Sequence, residues 1–208
     1  MTIPRLKIAW VVLLAAAFVW FSIWYGGAGK PISPEEGERL LEQIRSTHPD
    51  ADQSDRSFLS NVADMIPRDD GKEFYAVNLE NLKDGPEARE ADAGYARIVM
   101  PLLFKRASHP ILVSNRAGLM LGDYGQKVDR VVIVRYRSLR DMIEMAVEPS
   151  MKEGEGLKFA ALDHTEVFIT RPTISFVHVR VLIALILIVL GWLGLRGLDW
   201  LHRRTRTP

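Results

Sequence analysis

The 208-residue chain contains no cysteine. Disulfides, thiolate catalysis and cysteine metal ligation are therefore excluded, although the absence assigns no compartment. No nucleophile elbow, P-loop, dinucleotide fingerprint or paired-metal spacing occurs. The five histidines (His48, His109, His164, His178 and His202) form no HExxH or other ligand spacing, so no metal site is expected. There is no internal repeat and no low-complexity run. Net charge is small, +1, and a charged fraction of 25% is ordinary for a globular surface.

What the chain does have is two long apolar segments, one at each end. Ile8 to Tyr25 carries no ionisable group except the tyrosine, and Val181 to Leu195 lies between Arg180 and Arg196. A bilayer core needs roughly 20 apolar helical residues, fewer when flanking side chains snorkel. Trp20, Phe21, Trp24 and Tyr25 suit the headgroup level at the far end of the first segment. A cleaved signal peptide is the competing reading, but its apolar core is about 7–15 residues and ends in small residues. Upstream of the second segment, Ile174, Phe176, Val177 and Val179 extend it, with His178 and Arg180 as interfacial anchors. Arg5 and Lys7 precede the first segment; Arg196, Arg203, Arg204 and Arg206 follow the second. Both termini therefore read as cytoplasmic, and the net acidic middle as periplasmic or extracellular. The bilayer is the first expected partner.

The boundaries that follow are an N-terminal anchor over 1–29, a helical connector over 30–71, a domain over 72–173, and a second anchor with a basic tail over 174–208. In the connector, Ser33-Pro34-Glu35-Glu36 predicts a helix start with a capping box. Leu40, Leu41 and Ile44 form its stripe. A second helix is predicted from about Asp55, with Phe58, Leu59, Val62 and Met65 inward, after the turn-rich link THPDADQSD. Together they are expected to form a stalk or an N-terminal elaboration.

The domain reads as strand EFYAVNL, a helix from Pro86 to about Arg106 kinked or ended by Pro101, strand HPILVSNRAGLML, and strand DRVVIVRY. A helix capped by Ser138 follows and stops by Pro149; then come a KEGEG loop, a short KFAAL turn and strand TEVFIT. This βαββαβ order is the split βαβ, ferredoxin-like α+β pattern, with helices on one face of an antiparallel sheet. Val131 and Ile133 alternate with Val132 and Val134, so the second sheet face is also apolar and calls for a cover. A second copy is the simplest cover.

The stretch DRVVIVRYRSLRDMIEMAVEPS, with EFYAVNL before it and TEVFIT after it, resembles the dimeric α/β-barrel superfamily. It is similar in particular to small uncharacterised domains related to ethyl tert-butyl ether degradation proteins. The resemblance spans about Lys72 to Pro172 and implies a homodimer whose two sheets close into a barrel, with a pocket between sheet and helices. It says little about activity, because one fold hosts many chemistries. The two anchors and the N-terminal helices depart from its usual members.

Five residues stand out as candidates for ligand binding. Asn78 interrupts an apolar strand and needs hydrogen-bond partners, from a ligand or locally. Tyr95 faces inward from the first domain helix, where a core role competes. His109, entering the second strand, can act as a base, a haem ligand or a backbone-satisfied turn histidine. Arg135 and Tyr136 end the third strand and can receive an anion at a pocket mouth, unless a salt bridge or solvent takes them. Asp123 and Asp163 have ordinary turn roles. No catalytic residue or cofactor is assigned. Nucleic acid is not an expected partner, since the outside domain is net acidic. The preferred reading is a membrane-tethered dimerising module of the envelope that binds a ligand or partner. The alternatives are a haem-dependent or cofactor-free oxygenase or isomerase working through His109, and a structural subunit of a membrane assembly.

Overall fold

The computed structural model describes residues 3–48, 58–174 and 178–204. The predicted helix start at Asp55, most of the link before it, and Phe176, Val177 and Arg206 lie outside the described residues. The chain divides into two units, one combining 1–25 with 174–208 and the other spanning Gly26–Thr173.

The first unit holds α1 (Ile3–Gly26) and the last helix of the chain, Val179–Arg204. Both are long and apolar enough to cross a membrane. The last helix exceeds the predicted Val181–Leu195 stretch because it runs on through Arg196. That guanidinium lies 4.4 Å from the Trp192 ring centre, so its charge stays on the helix surface.

The second unit contains α2 (Pro34–Thr47), α3 (Phe58–Met65), β1 (Phe74–Leu82), α4 (Pro86–Lys105), β2 (His109–Asn115) and β3 (Arg130–Tyr136). Then follow α5 (Leu139–Ala146), α6 (Pro149–Ala161) and β4 (Leu162–Thr170), so that the last helix is α7. The sheet order is β2-β3-β1-β4, every neighbour antiparallel. That order is what a split βαβ topology produces, so the α+β, ferredoxin-like architecture is present.

One face of the sheet is covered across its middle strands, while Val113 and Val167 on its edge strands stay 60% and 48% exposed. Phe74, Ala76, Asn78 and Glu80 on β1 pair directly with Tyr136, Val134, Val132 and Arg130 on β3. Directly paired residues share a face, so all eight point toward the helices. Val134, Val99, Leu103 and Met145 form one buried cluster, with Tyr95, Val132 and Tyr136 against it. A second cluster joins Phe74 and Ala76 to Leu139 and Ile143 of α5 and to Ile32, Leu40, Ile44, Leu59, Val62 and Ile66. The connector helices are therefore no free-standing stalk. They complete the core at the Phe74 end of the sheet. Ser33 caps α2, its Oγ accepting the Glu36 N–H at 3.2 Å. The expected return half of the capping box is missing, because Arg140 takes the Glu36 carboxylate at 2.6 and 2.9 Å and so ties α2 to α5.

Two local expectations change, and the alternative left open at Pro101 is decided. The KEGEG segment is helical: Pro149 starts α6, and Gly154 is buried facing Ile98 and Tyr95 of α4. A close helix contact outweighs the poor propensity of glycine there. The helix α4 reaches Lys105, next to the expected end at about Arg106, and Pro101 does not end it, with buried Val99 and Leu103 on either side of the proline. The second strand ends at Asn115 rather than running to Leu121, leaving a β2–β3 loop over 116–129 with one helical turn at Tyr124–Lys127.

Both connections to the first unit leave from one end of the sheet. Gly71, at φ 69°, presses against the Lys30 backbone, and Ile32 N–H donates to Asp69 at 2.9 Å. On the other connection, β4 ends at Thr170, opposite Tyr75. The β2–β3 loop lies at the opposite end, beside Glu80 and Leu82, where Asp129 N–H donates to the Glu80 carbonyl.

Candidate functional site

Among the described residues of this unit, no helix joins a buried cluster on the other face of the sheet. Its residues are those that alternate with the covered set. Across the middle, Leu112 of β2, Ile133 of β3, Val77 of β1 and Phe168 of β4 stand in a single row. Leu112 and Phe168, on the two edge strands, are each 45% exposed. One row toward the β2–β3 loop come Ser114, Val131, Leu79 and Glu166, and beyond them Asn81 opposite His164. The second face is thus an apolar band with a polar margin, narrower than the sequence pattern implied.

At that polar margin lies a cavity of about 500 Å³. Leu79, Asn81, His164 and Glu166 form its sheet side; Asp123, Tyr124, Gln126, Lys127 and Val128 of the loop form the other. The Tyr124 hydroxyl donates to the Glu166 carboxylate, fastening the loop to β4. That bond stabilises the protonated phenol, so its pKa is raised. The cavity offers an imidazole, two amides, a phenol, an ammonium and two carboxylates over apolar Leu79 and Val128. Such a lining can orient a small polar ligand through several hydrogen bonds, with the His164 imidazole among its partners.

None of the five sequence-derived candidates lines this cavity. Asn78 faces the helices, and its amide donates to the Val132 carbonyl at 3.1 Å and the Ala76 carbonyl at 3.4 Å. Tyr95 packs in the core under the Lys158 ammonium, 5.8 Å from its ring centre. Burial, then the Glu80 and Asp92 charges, push its pKa up to about 12. Tyr136 stacks on Phe74 with ring centres 5.4 Å apart, and burial raises its pKa too. Arg135 is not at a pocket mouth. It is 2% exposed, with Nε and Nη2 donating to Glu73 at 2.8 and 2.5 Å and Nη1 to the Ala107 carbonyl at 2.7 Å. Ala107 sits at φ 51° in the α4–β2 turn, so this arginine holds a strained corner. His109 Nδ1 bonds the Pro110 carbonyl at 3.1 Å. The helix side of the sheet, where the family resemblance puts a pocket, is here filled by these aromatics and by an ion cluster.

In that cluster, Arg130 Nε donates to Glu80 at 2.6 Å and both its Nη groups reach Asp92 at 2.7 Å. The pairing raises the Arg130 pKa and lowers that of Asp92, chiefly through these hydrogen bonds. Lys158, desolvated beside it, is easier to deprotonate than a free lysine. Among the described residues no group of histidines and carboxylates is arranged to hold a metal ion.

The cavity residues were present in the sequence as alternation. His164, Glu166 and Phe168 share a face of β4, as Val77, Leu79 and Asn81 do on β1. Which strands meet, and that a loop fourteen residues long bends over them, is set by pairing at long range.

No family model matches the chain, and no curated protein matches it. Among solved structures, it is similar to a protein of unknown function from Rhodopseudomonas palustris, at 18% identity and TM-score 0.47 over 70% of this chain and 99% of that one. A dimeric ferredoxin-like protein of unknown function from Jannaschia sp. aligns at 12% identity and TM-score 0.38, over 48% of this chain and 99% of that one. A cofactor-independent oxygenase from Streptomyces nogalater aligns at 11% identity and TM-score 0.37, over 51% and 98%.

Proposed function

We propose that this protein is a membrane-anchored ferredoxin-like module of the envelope that pairs with a second copy through the open face of its sheet, forming a dimeric α/β barrel around a small-ligand site. The observation that carries the reading is the uncovered Leu112–Ile133–Val77–Phe168 band. Exposed apolar rows of this kind are a cost in water and mark interaction surfaces. The two copies are related in this reading by a two-fold axis parallel to the strands. Such an axis sets the Phe168 edge of one copy over the Leu112 edge of the other, so the band is self-complementary. Tethering in one plane raises the local concentration for this pairing. The cavity then opens toward the interior of the pair.

Native mass spectrometry of the full chain in detergent micelles tests this. Wild type is expected as a dimer, and Phe168→Asp as a folded monomer. A wild-type monomer at micromolar concentration removes the proposal.

A second reading, catalysis on the ligand, has the cavity itself as its observation. The working group is then His164 rather than His109, with Tyr124 and Glu166 beside it. Haem or small-molecule titration of wild type against His164→Ala and His109→Ala decides between them. Loss of binding only in His109→Ala contradicts this assignment.

A further inference from the structure

Four contacts line up along α1 and α7. The Lys7 ammonium meets the Asp199 carboxylate at 2.5 Å. The Trp10 indole lies on Gly194, where an added methyl group would stand 2.7 Å from Cε2. Leu14 lies on Gly191, its Cδ1 3.3 Å from where a methyl group would be. The Arg180 guanidinium is 5.7 Å from the Tyr25 ring centre. As residue numbers rise on α1 they fall on α7, so one antiparallel register holds from Lys7 to Tyr25. At 1.5 Å per residue this is roughly 27 Å of helix, close to the thickness of a hydrocarbon core.

We infer that α1 is retained as the packing partner of α7 within the same chain, and that the glycine notch of α7 is thereby used up. In lipid no hydrophobic force draws helices together, so association depends on close packing and polar pairs. Gly191 and Gly194 are three residues apart and do not present the four-residue spacing by which two helix backbones approach. They act instead as seats for two large side chains, Leu14 and Trp10. A cleaved leader has no reason to match a helix some 170 residues downstream at four successive levels. With the notch filled, contact between copies is left to the sheet face. The inference rests on the membrane reading above.

The absence of native cysteine makes the test direct. In membranes containing the full chain, Leu14→Cys with Gly191→Cys is treated with a short bifunctional thiol reagent. Each single variant, and Val12→Cys with Gly191→Cys on the far side of α1, serve for comparison. The expected result is an intramolecular link in the first pair alone, on a protein whose intact mass includes α1. A mature chain that begins beyond α1, or single variants that link into dimers while the pair gives no internal link, overturns the inference. A chain found in the soluble fraction instead removes the membrane reading, a distinct outcome.

Discussion

Replacing Arg130 by methionine probes the Arg130–Glu80–Asp92 ion cluster of the domain. The Arg130 side chain is 17% exposed and that of Glu80 5%, so the substitution leaves a carboxylate enclosed without its partner. Breaking a buried pair in this way costs about 3–5 kcal/mol. The Lys158 ammonium, which interacts with the Glu80 charge, compensates in part and puts the loss toward the lower end. Asp92 adds little to it, because its side chain is 33% exposed and regains water. Native-state hydrogen exchange on the full chain in micelles reads the effect at the β1 and β3 amides that pair across this site. Protection is expected to fall roughly 10²- to 10³-fold, since each decade corresponds to about 1.4 kcal/mol. Adding Glu80→Gln removes the stranded charge and is expected to restore about tenfold of the protection. A fall of less than about threefold in the single variant, or no recovery in the double, refutes the claim that this cluster is a charge pair the fold depends on.

Acid titration reports the partly buried carboxylates that pair with arginine. The Arg130, Arg140 and Arg106 hydrogen bonds hold Asp92, Glu36 and Glu148 respectively below the usual carboxylate range. A depressed folded pKa stabilises at all pH above the unfolded value and is lost as pH falls through the folded one. Circular dichroism is therefore expected to show stability level from neutral pH down to about 4 and falling below it, with a shallower fall in Glu36→Gln. Two glycine substitutions should differ in sign when thermal unfolding is followed. Gly154→Ala meets only Ile98, Met151 and Tyr95 at ordinary contact distance and gains about 0.5–1 kcal/mol from the helix it joins. Gly71→Ala meets the Lys30 backbone at a positive φ and loses about 1–3 kcal/mol.

How much was legible varied with the range of the forces involved. Helix starts at Ser33 and Ser138 depend on a side chain and a backbone three residues away, and both caps are present. The strand order followed from alternation and the βαββαβ sequence of elements. Lys152-Glu-Gly-Glu-Gly reads locally as a loop, yet Gly154 is helical because α4 is there to receive it. Arg135 and Tyr136 look like surface groups at a strand end until the α4–β2 turn and the Phe74 ring close over them.

Local pattern was enough to place two apolar helices around one α+β domain that holds no thiol. Composition and periodicity carry those facts, since each depends on residues a few positions apart. Which face of the sheet stays open, which residues line its cavity, and where the glycines of α7 find their partner become visible in the folded chain. Those follow from contacts between segments tens of residues apart, such as Tyr124 with Glu166 and Trp10 with Gly194. Register between such segments is set by the packing of the whole chain.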